Sequence, residues 1–181
     1  MRIAIAGAHR TGKTTLMEEL GQCLPSYQQI EEPYHQLEEE GHEFGEMPAL
    51  EDFELQLERS IDCILDCILD ADDDQLFDRC PADIAAYLLT HHDAGDFDLE
   101  PWLARMRAAM QRLDLVVYVP IESPDRVHGA GSDDGWRGRV DDEVREILLG
   151  DRWGFAVDVI EVAGSPRERA GQVLAHLGRS R

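Results

Sequence analysis

The octapeptide Gly7-Ala8-His9-Arg10-Thr11-Gly12-Lys13-Thr14 fills every fixed position of the pattern G-x-x-x-x-G-K-[ST]. Its glycines let a tight loop wrap successive backbone N–H groups around a phosphate, and a slender ammonium reaches over that loop as a point charge. A planar guanidinium would fit there poorly. The chain holds 17 Lys and Arg residues, and Lys13 is its only lysine. Arginine supplies the fixed positive charge everywhere else, so lysine stands where phosphate chemistry calls for it. Thr14 would set its hydroxyl on Mg²⁺, and Thr15 adds a second hydroxyl beside the phosphates. Gly7, Ala8, His9, Arg10, Thr11, Gly12, Lys13, Thr14 and Thr15 thus form a candidate nucleoside triphosphate site. Within it His9 reads as loop lining or packing, and Arg10 as pointing to solvent.

Three other groups carry residues suited to phosphoryl transfer: Glu31-Glu32-Pro33, Asp78-Arg79 and Arg137-Gly138-Arg139. Transfer of a γ-phosphoryl group is mostly positioning and charge stabilisation, and an acceptor hydroxyl gains from a carboxylate that takes its proton. Glu32 is the first candidate for that base; the plain alternative is an exposed acid at a strand end. Asp78 is a candidate Mg²⁺ holder through water, or the base itself, against a role as a helix cap. Arg79 would grip the acceptor or a phosphate, against a surface ion pair. Arg137 and Arg139 follow a glycine-rich stretch, and closure of that stretch would bring positive charge onto the transferring group and expel water. The alternative for this pair is a charged helix start, and Arg126 is a weaker lid candidate. Tyr34, Phe53, Tyr87 and Trp102 are candidates for an acceptor pocket or for the core. His91-His92-Asp93 reads as surface rather than as a metal site.

These residues must be positioned by strands and helices. Arg2–Ala6 is a short apolar run of the kind found in a parallel strand buried on both faces. Leu16, Leu20 and Leu24 then predict a helix over 14–24, so that strand, glycine loop and helix N-terminus aim at one phosphate. Further strands are expected at 27–32, 75–78, 115–119 and 157–162. Helices are expected at about 48–70, 82–90, 100–112, 141–149 and 166–177, with a short helix and loop over 35–47 and a mobile stretch over 122–137. Strands alternating with helices imply one parallel sheet covered on both faces, with ligands beyond the carboxyl ends of the strands. The near-duplicate Asp62-Cys63-Ile64-Leu65 and Asp66-Cys67-Ile68-Leu69 is a local helix echo, and no linker divides residues 1–181.

The formal net charge is −21. Nucleic acid and anionic membrane are disfavoured as partners, because binding either needs clustered cations. The field also repels ATP, so a triphosphate site must be locally positive and the placement of the arginines matters. Cys23, Cys63, Cys67 and Cys80 lack the His and Cys companions of a zinc set and read as buried free thiols. The chain begins directly with strand residues and has no apolar run near the length of a membrane span, so a soluble, cytoplasmic protein with reduced thiols is expected. Pairing into a homodimer is left open.

The loop, Glu32-Pro33, Asp78-Arg79 and Arg137-x-Arg139 together resemble the nucleoside and nucleotide kinase branch of the phosphate-loop proteins. Glu32-Pro33 is similar to the deoxynucleoside kinase motif whose Glu is the base. Asp78-Arg79 resembles the acidic–Arg pair of those enzymes and of thymidylate kinases. Asp78-Arg79-Cys80-Pro81-Ala82-Asp83 and the loop wording also resemble small bacterial AAA-type ATPase/kinase domains related to nicotinamide riboside kinase. Two departures stand out: Cys80 where the deoxynucleoside kinases carry Ser, and Tyr34-His35 where they carry an aromatic residue. The resemblance implies a three-layer α/β fold with a five-stranded parallel sheet of order 2-3-1-4-5 and a lid over about 122–140. It also implies ATP and Mg²⁺ as cofactors, and transfer to a small molecule such as a nucleoside or nucleotide. An ATPase or nucleotide switch acting on a protein partner is the alternative. A GTPase is disfavoured, since Lys13 as sole lysine excludes an Asn-Lys-x-Asp guanine-reading motif.

Overall fold

A computed structural model describes residues 1–45, 48–66, 74–95, 97–123 and 134–179. Among the described residues are five strands: β1 (Arg2–Ala6), β2 (Gln28–Ile30), β3 (Gln75–Asp78), β4 (Leu115–Tyr118) and β5 (Val159–Glu161). The helices are α1 (Lys13–Cys23), α2 (Pro33–Glu39), α3 (Leu50–Asp66), α4 (Pro81–Thr90), α5 (Glu100–Met110), α6 (Asp134–Leu148) and α7 (Pro166–Arg179). The strands form one sheet of order β2-β3-β1-β4-β5. All four neighbouring pairs are parallel, with Ile5 beside Asp78 on one flank and Val117 on the other. This is the fold expected of a phosphate-loop kinase.

The period-2 geometry of the central strand divides the core. Ile3 and Ile5 pack with Leu16 and Leu20 of α1 and Val173 and Leu177 of α7. Ala4 and Ala6 face the opposite layer, with Leu57 and Ile61 of α3, Ile84 and Leu88 of α4 and Val144 and Ile147 of α6. Helix α4 lies between α3 and α6 and is buried over most of its length, which its small Ala82, Ala85 and Ala86 permit by letting neighbouring backbones approach.

The largest departure from expectation is α6, which begins at Asp134 rather than near 141. Gly135 and Gly138 each cost a helix roughly 1 kcal/mol. However, Trp136, Val140, Val144 and Ile147 recur at threes and fours, and their burial against the α4 side of the core outweighs that cost. Of the expected lid, 134–140 is therefore helical, while Arg126 and the rest of 124–133 lie outside the described residues. Cys67 and the expected tail of α3 lie outside them as well. Strands β2 and β5 are shorter than expected, at three residues each. Pro33 starts α2 directly, which makes Glu32 its N-cap residue. Among the described residues, no helix is long and apolar enough to cross a membrane.

Candidate functional site

The loop Gly7–Thr14 joins β1 to α1 at the carboxyl end of the sheet. Gly7 has φ +144°, and a Cβ there would meet the Val119 carbonyl oxygen at 2.3 Å, so only glycine is accommodated. Gly12 caps α1 at φ +90°. Two loop amides are held from α4: Gly7 N donates to Asp83 Oδ1 at 2.6 Å and His9 N to the Tyr87 hydroxyl at 2.7 Å.

The loop carbonyls are held by cations. Arg79 Nη1 donates to Gly7 O at 3.2 Å and Lys13 Nζ to Ala8 O at 2.7 Å. Arg137 donates from Nε to His9 O at 2.9 Å and from Nη2 to Arg10 O at 3.1 Å. Arg169, near the start of α7, donates from Nη1 to Thr11 O at 2.7 Å. Gly12 O then accepts the helical bond from Leu16 N. All four cationic side chains are buried. Among the described residues, a chain of net charge −21 thus gathers its buried Lys and Arg side chains around one loop.

Carboxylates balance them. Arg79 Nε bonds Glu32 Oε1, and Arg79 lies 3.8 Å from the fully buried Asp83. Arg79 itself has φ +79°, a left-handed conformation that costs a non-glycine residue roughly 1–2 kcal/mol. Its backbone N–H bonds Ile5 O, which continues the β1–β3 ladder and aims the guanidinium back across the loop, 5.2 Å from the Tyr87 ring centroid. Burial alone would raise the Glu32 pKa, but Arg79 and then Lys13 outweigh it and hold the carboxyl below its usual range. Burial raises Asp83 despite Arg79 and Lys13.

Asp78 ends β3. Its pKa is raised by burial and then by Glu32, and its Oδ1 is buried with no hydrogen-bond partner. Asp78, Thr14, Glu18, Glu31 and Glu32 line one cavity of about 530 Å³. An orphaned carboxylate oxygen sharing a cavity with the loop hydroxyl is a donor set suited to a hard divalent cation such as Mg²⁺.

Glu32 also lines a second cavity of about 210 Å³, together with His9, Tyr34, Phe53, Gln56, Arg79, Tyr87 and Trp136. Phe53 and Tyr87 stack there at 5.3 Å with their planes 7° apart. Trp136 presents its edge to both and is anchored by Nε1 donating to Thr90 Oγ1 at 3.0 Å.

The structure therefore brings Lys13, Glu32, Asp78 and Arg79 together with the loop. Arg137 joins them from α6, through its bonds to the loop carbonyls. Arg139 does not join them: it is exposed, and its Nη1 bonds Gly135 O of its own helix. Arg10 is exposed at φ +58°; Thr14 and Thr15 are exposed at the head of α1. His9 packs against the Tyr87 and Trp136 rings. Trp102 is not in the aromatic cavity but against the core, 5.8 Å under Arg105. His91, His92 and Asp93 bring ligand atoms within 4.8 Å of one another. Yet His91 Nδ1 accepts from Asp93 N and Nε2 faces the Pro48 carbonyl, both at 3.2 Å, so neither nitrogen is available to an ion. Asp83, Gln56, Trp136 and Arg169 were missed from sequence. The capping position of Asp83, three residues after Cys80, was the one available signal.

Lys13 carries a pH dependence. Burial, and next Arg79, lower its pKa to about 8. A bound triphosphate favours the protonated amine. Mg-ATP affinity is thus expected to be flat below pH 8 and to fall above it by up to about tenfold per unit, with proton uptake on binding. Calorimetry in buffers of different ionisation enthalpy checks this; affinity unchanged up to pH 9.5 would contradict it.

The model of a family described as an AAA domain matches residues 2–169. The chain belongs to that family. No curated protein sequence matches it. Among solved structures it is similar to deoxyadenosine kinase from M. mycoides with bound dATP, at TM-score 0.68 and 14% identity, covering 98% of this chain and 99% of that one. It is similar to NadR protein in complex with NR, at TM-score 0.70 and 18% identity, covering 96% of this chain and 48% of that one. Thymidylate kinase from Ehrlichia chaffeensis matches at TM-score 0.63 and 14% identity, covering 98% of each chain. At these identities the likeness is one of fold.

Proposed function

We propose that the chain is an ATP-dependent kinase that moves the γ-phosphoryl group to a small-molecule acceptor, of the nucleoside, nucleotide or related class. The observation that carries this is the position of Glu32. Glu32 lines both the cavity containing Thr14 and Asp78 and the aromatic cavity. A group at that junction can serve an acceptor on one side and a phosphate on the other. Hydrolysis alone needs no aromatic chamber beside the phosphate loop.

In this reading the loop amides and Lys13 hold the β- and γ-phosphates. Thr14 and Asp78 hold Mg²⁺, which when bound would neutralise charge on the phosphate oxygens. The Phe53–Tyr87 stack and Trp136 clamp a planar acceptor, and Gln56 offers an amide to its polar edge. Glu32 orients the acceptor hydroxyl and takes its proton. Because Arg79 keeps Glu32 weakly basic, that proton moves late, as a loose phosphoryl-transfer transition state allows. Arg79 and Arg137 stabilise charge around the loop. The fold-level likeness to nucleoside and nucleotide kinases supports the same class, while the AAA description favours the second reading, ATP hydrolysis coupled to a protein partner.

The test is ADP formation with Mg-ATP against nucleosides, nucleoside monophosphates and nicotinamide riboside. The kinase reading expects ADP only with the right acceptor. ADP at one rate regardless of acceptor would favour the hydrolase.

A further inference from the structure

We propose that Arg169 is a positioning residue of the phosphate site, setting the direction of the Gly12 amide from the opposite face of the loop. The inference rests on the reading of Gly7–Thr14 as the nucleotide site and adds a residue that neither the loop motif nor the kinase resemblance includes.

In a planar trans peptide the C=O of one residue and the N–H of the next point in opposite directions. Fixing a carbonyl on one side of the loop therefore fixes an amide on the other. The cation on Gly7 O governs the Ala8 N–H, and the Arg137 bonds to His9 O and Arg10 O govern the Arg10 and Thr11 N–H groups. The last peptide before the helix is Thr11–Gly12. Gly12 sits at φ +90°, and glycine moves between backbone wells at little cost, so this peptide needs a partner to hold its direction. Arg169 Nη1 closes on its carbonyl at 2.7 Å.

Arg169 is itself held. It is 7% exposed, and its Nη2 donates to Glu122 Oε1 at 2.8 Å. The same Glu122 oxygen accepts from Gly164 N at 2.5 Å. The guanidinium thus ties the loop to the segments following β4 and β5, a fork that lysine cannot reproduce. It also packs tightly over the glycine: a Cβ on Gly12 would lie 3.0 Å from Arg169 Nη1. With Nη1 on Thr11 O and Nη2 on Glu122 Oε1, Arg169 acts through Thr11 and Gly12.

The experiment is calorimetry of Mg-ATP and of inorganic tripolyphosphate with wild type, Arg169→Ala, Arg169→Lys and Glu122→Gln, reading affinity and stoichiometry separately. Arg169→Ala should weaken both ligands equally, by about tenfold or more, the loss expected for one charged hydrogen bond. Stoichiometry should stay near one site per chain. Arg169→Lys should fall between, and Glu122→Gln, which keeps the bond to Thr11, should cost less than either. Affinities within twofold of wild type in Arg169→Ala would overturn the proposal. So would weakened ATP with unchanged tripolyphosphate, which would place Arg169 on the nucleoside. Should Arg169→Ala not fold, Arg169→Lys with wild-type affinity for both ligands overturns it equally. Wild type binding neither ligand would instead defeat the reading of the loop as a nucleotide site.

Discussion

Lys13→Ala is expected to lower Mg-ATP-dependent turnover by at least about 10³-fold while leaving the thermal midpoint at pH 7 no lower than that of the wild type. The first part follows from the proposed role of the loop ammonium, which would meet the β- and γ-phosphates and stabilise developing charge in a buried site. The second follows from the sign of the pKa shift. The folded chain holds Lys13 near pKa 8 against an ordinary 10.5, so folding disfavours its charged form. That cost is fully present below pH 8 and is relieved as pH rises through 8 toward the unfolded value. Removing the amine removes the cost, which offsets the lost bond to Ala8 O. A variant with wild-type turnover would remove the loop lysine from the chemistry. A large drop in melting temperature would show that Lys13 is a structural brace first.

Glu32→Gln is expected to cut acceptor phosphorylation by about 10²–10⁴-fold, the range for loss of a positioned base, with Mg-ATP affinity within a few-fold of wild type. The amide keeps the shape of the N-cap residue of α2 and can still accept from Arg79. It cannot take a proton. Stability is expected to fall, because Arg79 is buried and is left with Asp83 at 3.8 Å as its remaining carboxylate partner; breaking a buried ion pair costs roughly 3–5 kcal/mol. Steady-state kinetics and thermal melts of the same preparation separate the two effects. Wild-type turnover would move the role of base to Asp78, whose pKa is raised by burial and then by Glu32.

The fold was legible because its signals are local. An apolar run, a glycine loop and a leucine-spaced helix follow one another at the N-terminus, and the strands Gln75–Asp78 and Leu115–Tyr118 stand out by composition. Lys13, Glu32, Asp78 and Arg79 could be picked because each lies at the loop or just beyond a strand, where a parallel sheet gathers ligands. What surrounds them could not. Arg137 and Arg169 meet loop carbonyls 128 and 158 residues away in the chain, and no periodicity marks which arginine will reach which oxygen. Arg137 and Arg139 looked equivalent, yet on a helix beginning at Asp134 two positions apart face different ways. One is buried on the loop and the other lies in solvent. Trp136 was hidden in a glycine-rich stretch whose helical period becomes visible only once Val140, Val144 and Ile147 are counted with it.

The fate of the γ-phosphoryl group separates transfer from hydrolysis. ATP labelled at that position with ³²P is incubated with the protein, Mg²⁺ and the acceptor that best stimulates ADP formation, and the label is divided between acceptor and free phosphate. Transfer across Glu32 from the loop to the aromatic cavity predicts one labelled acceptor for each ADP formed. Label appearing only as inorganic phosphate would contradict it.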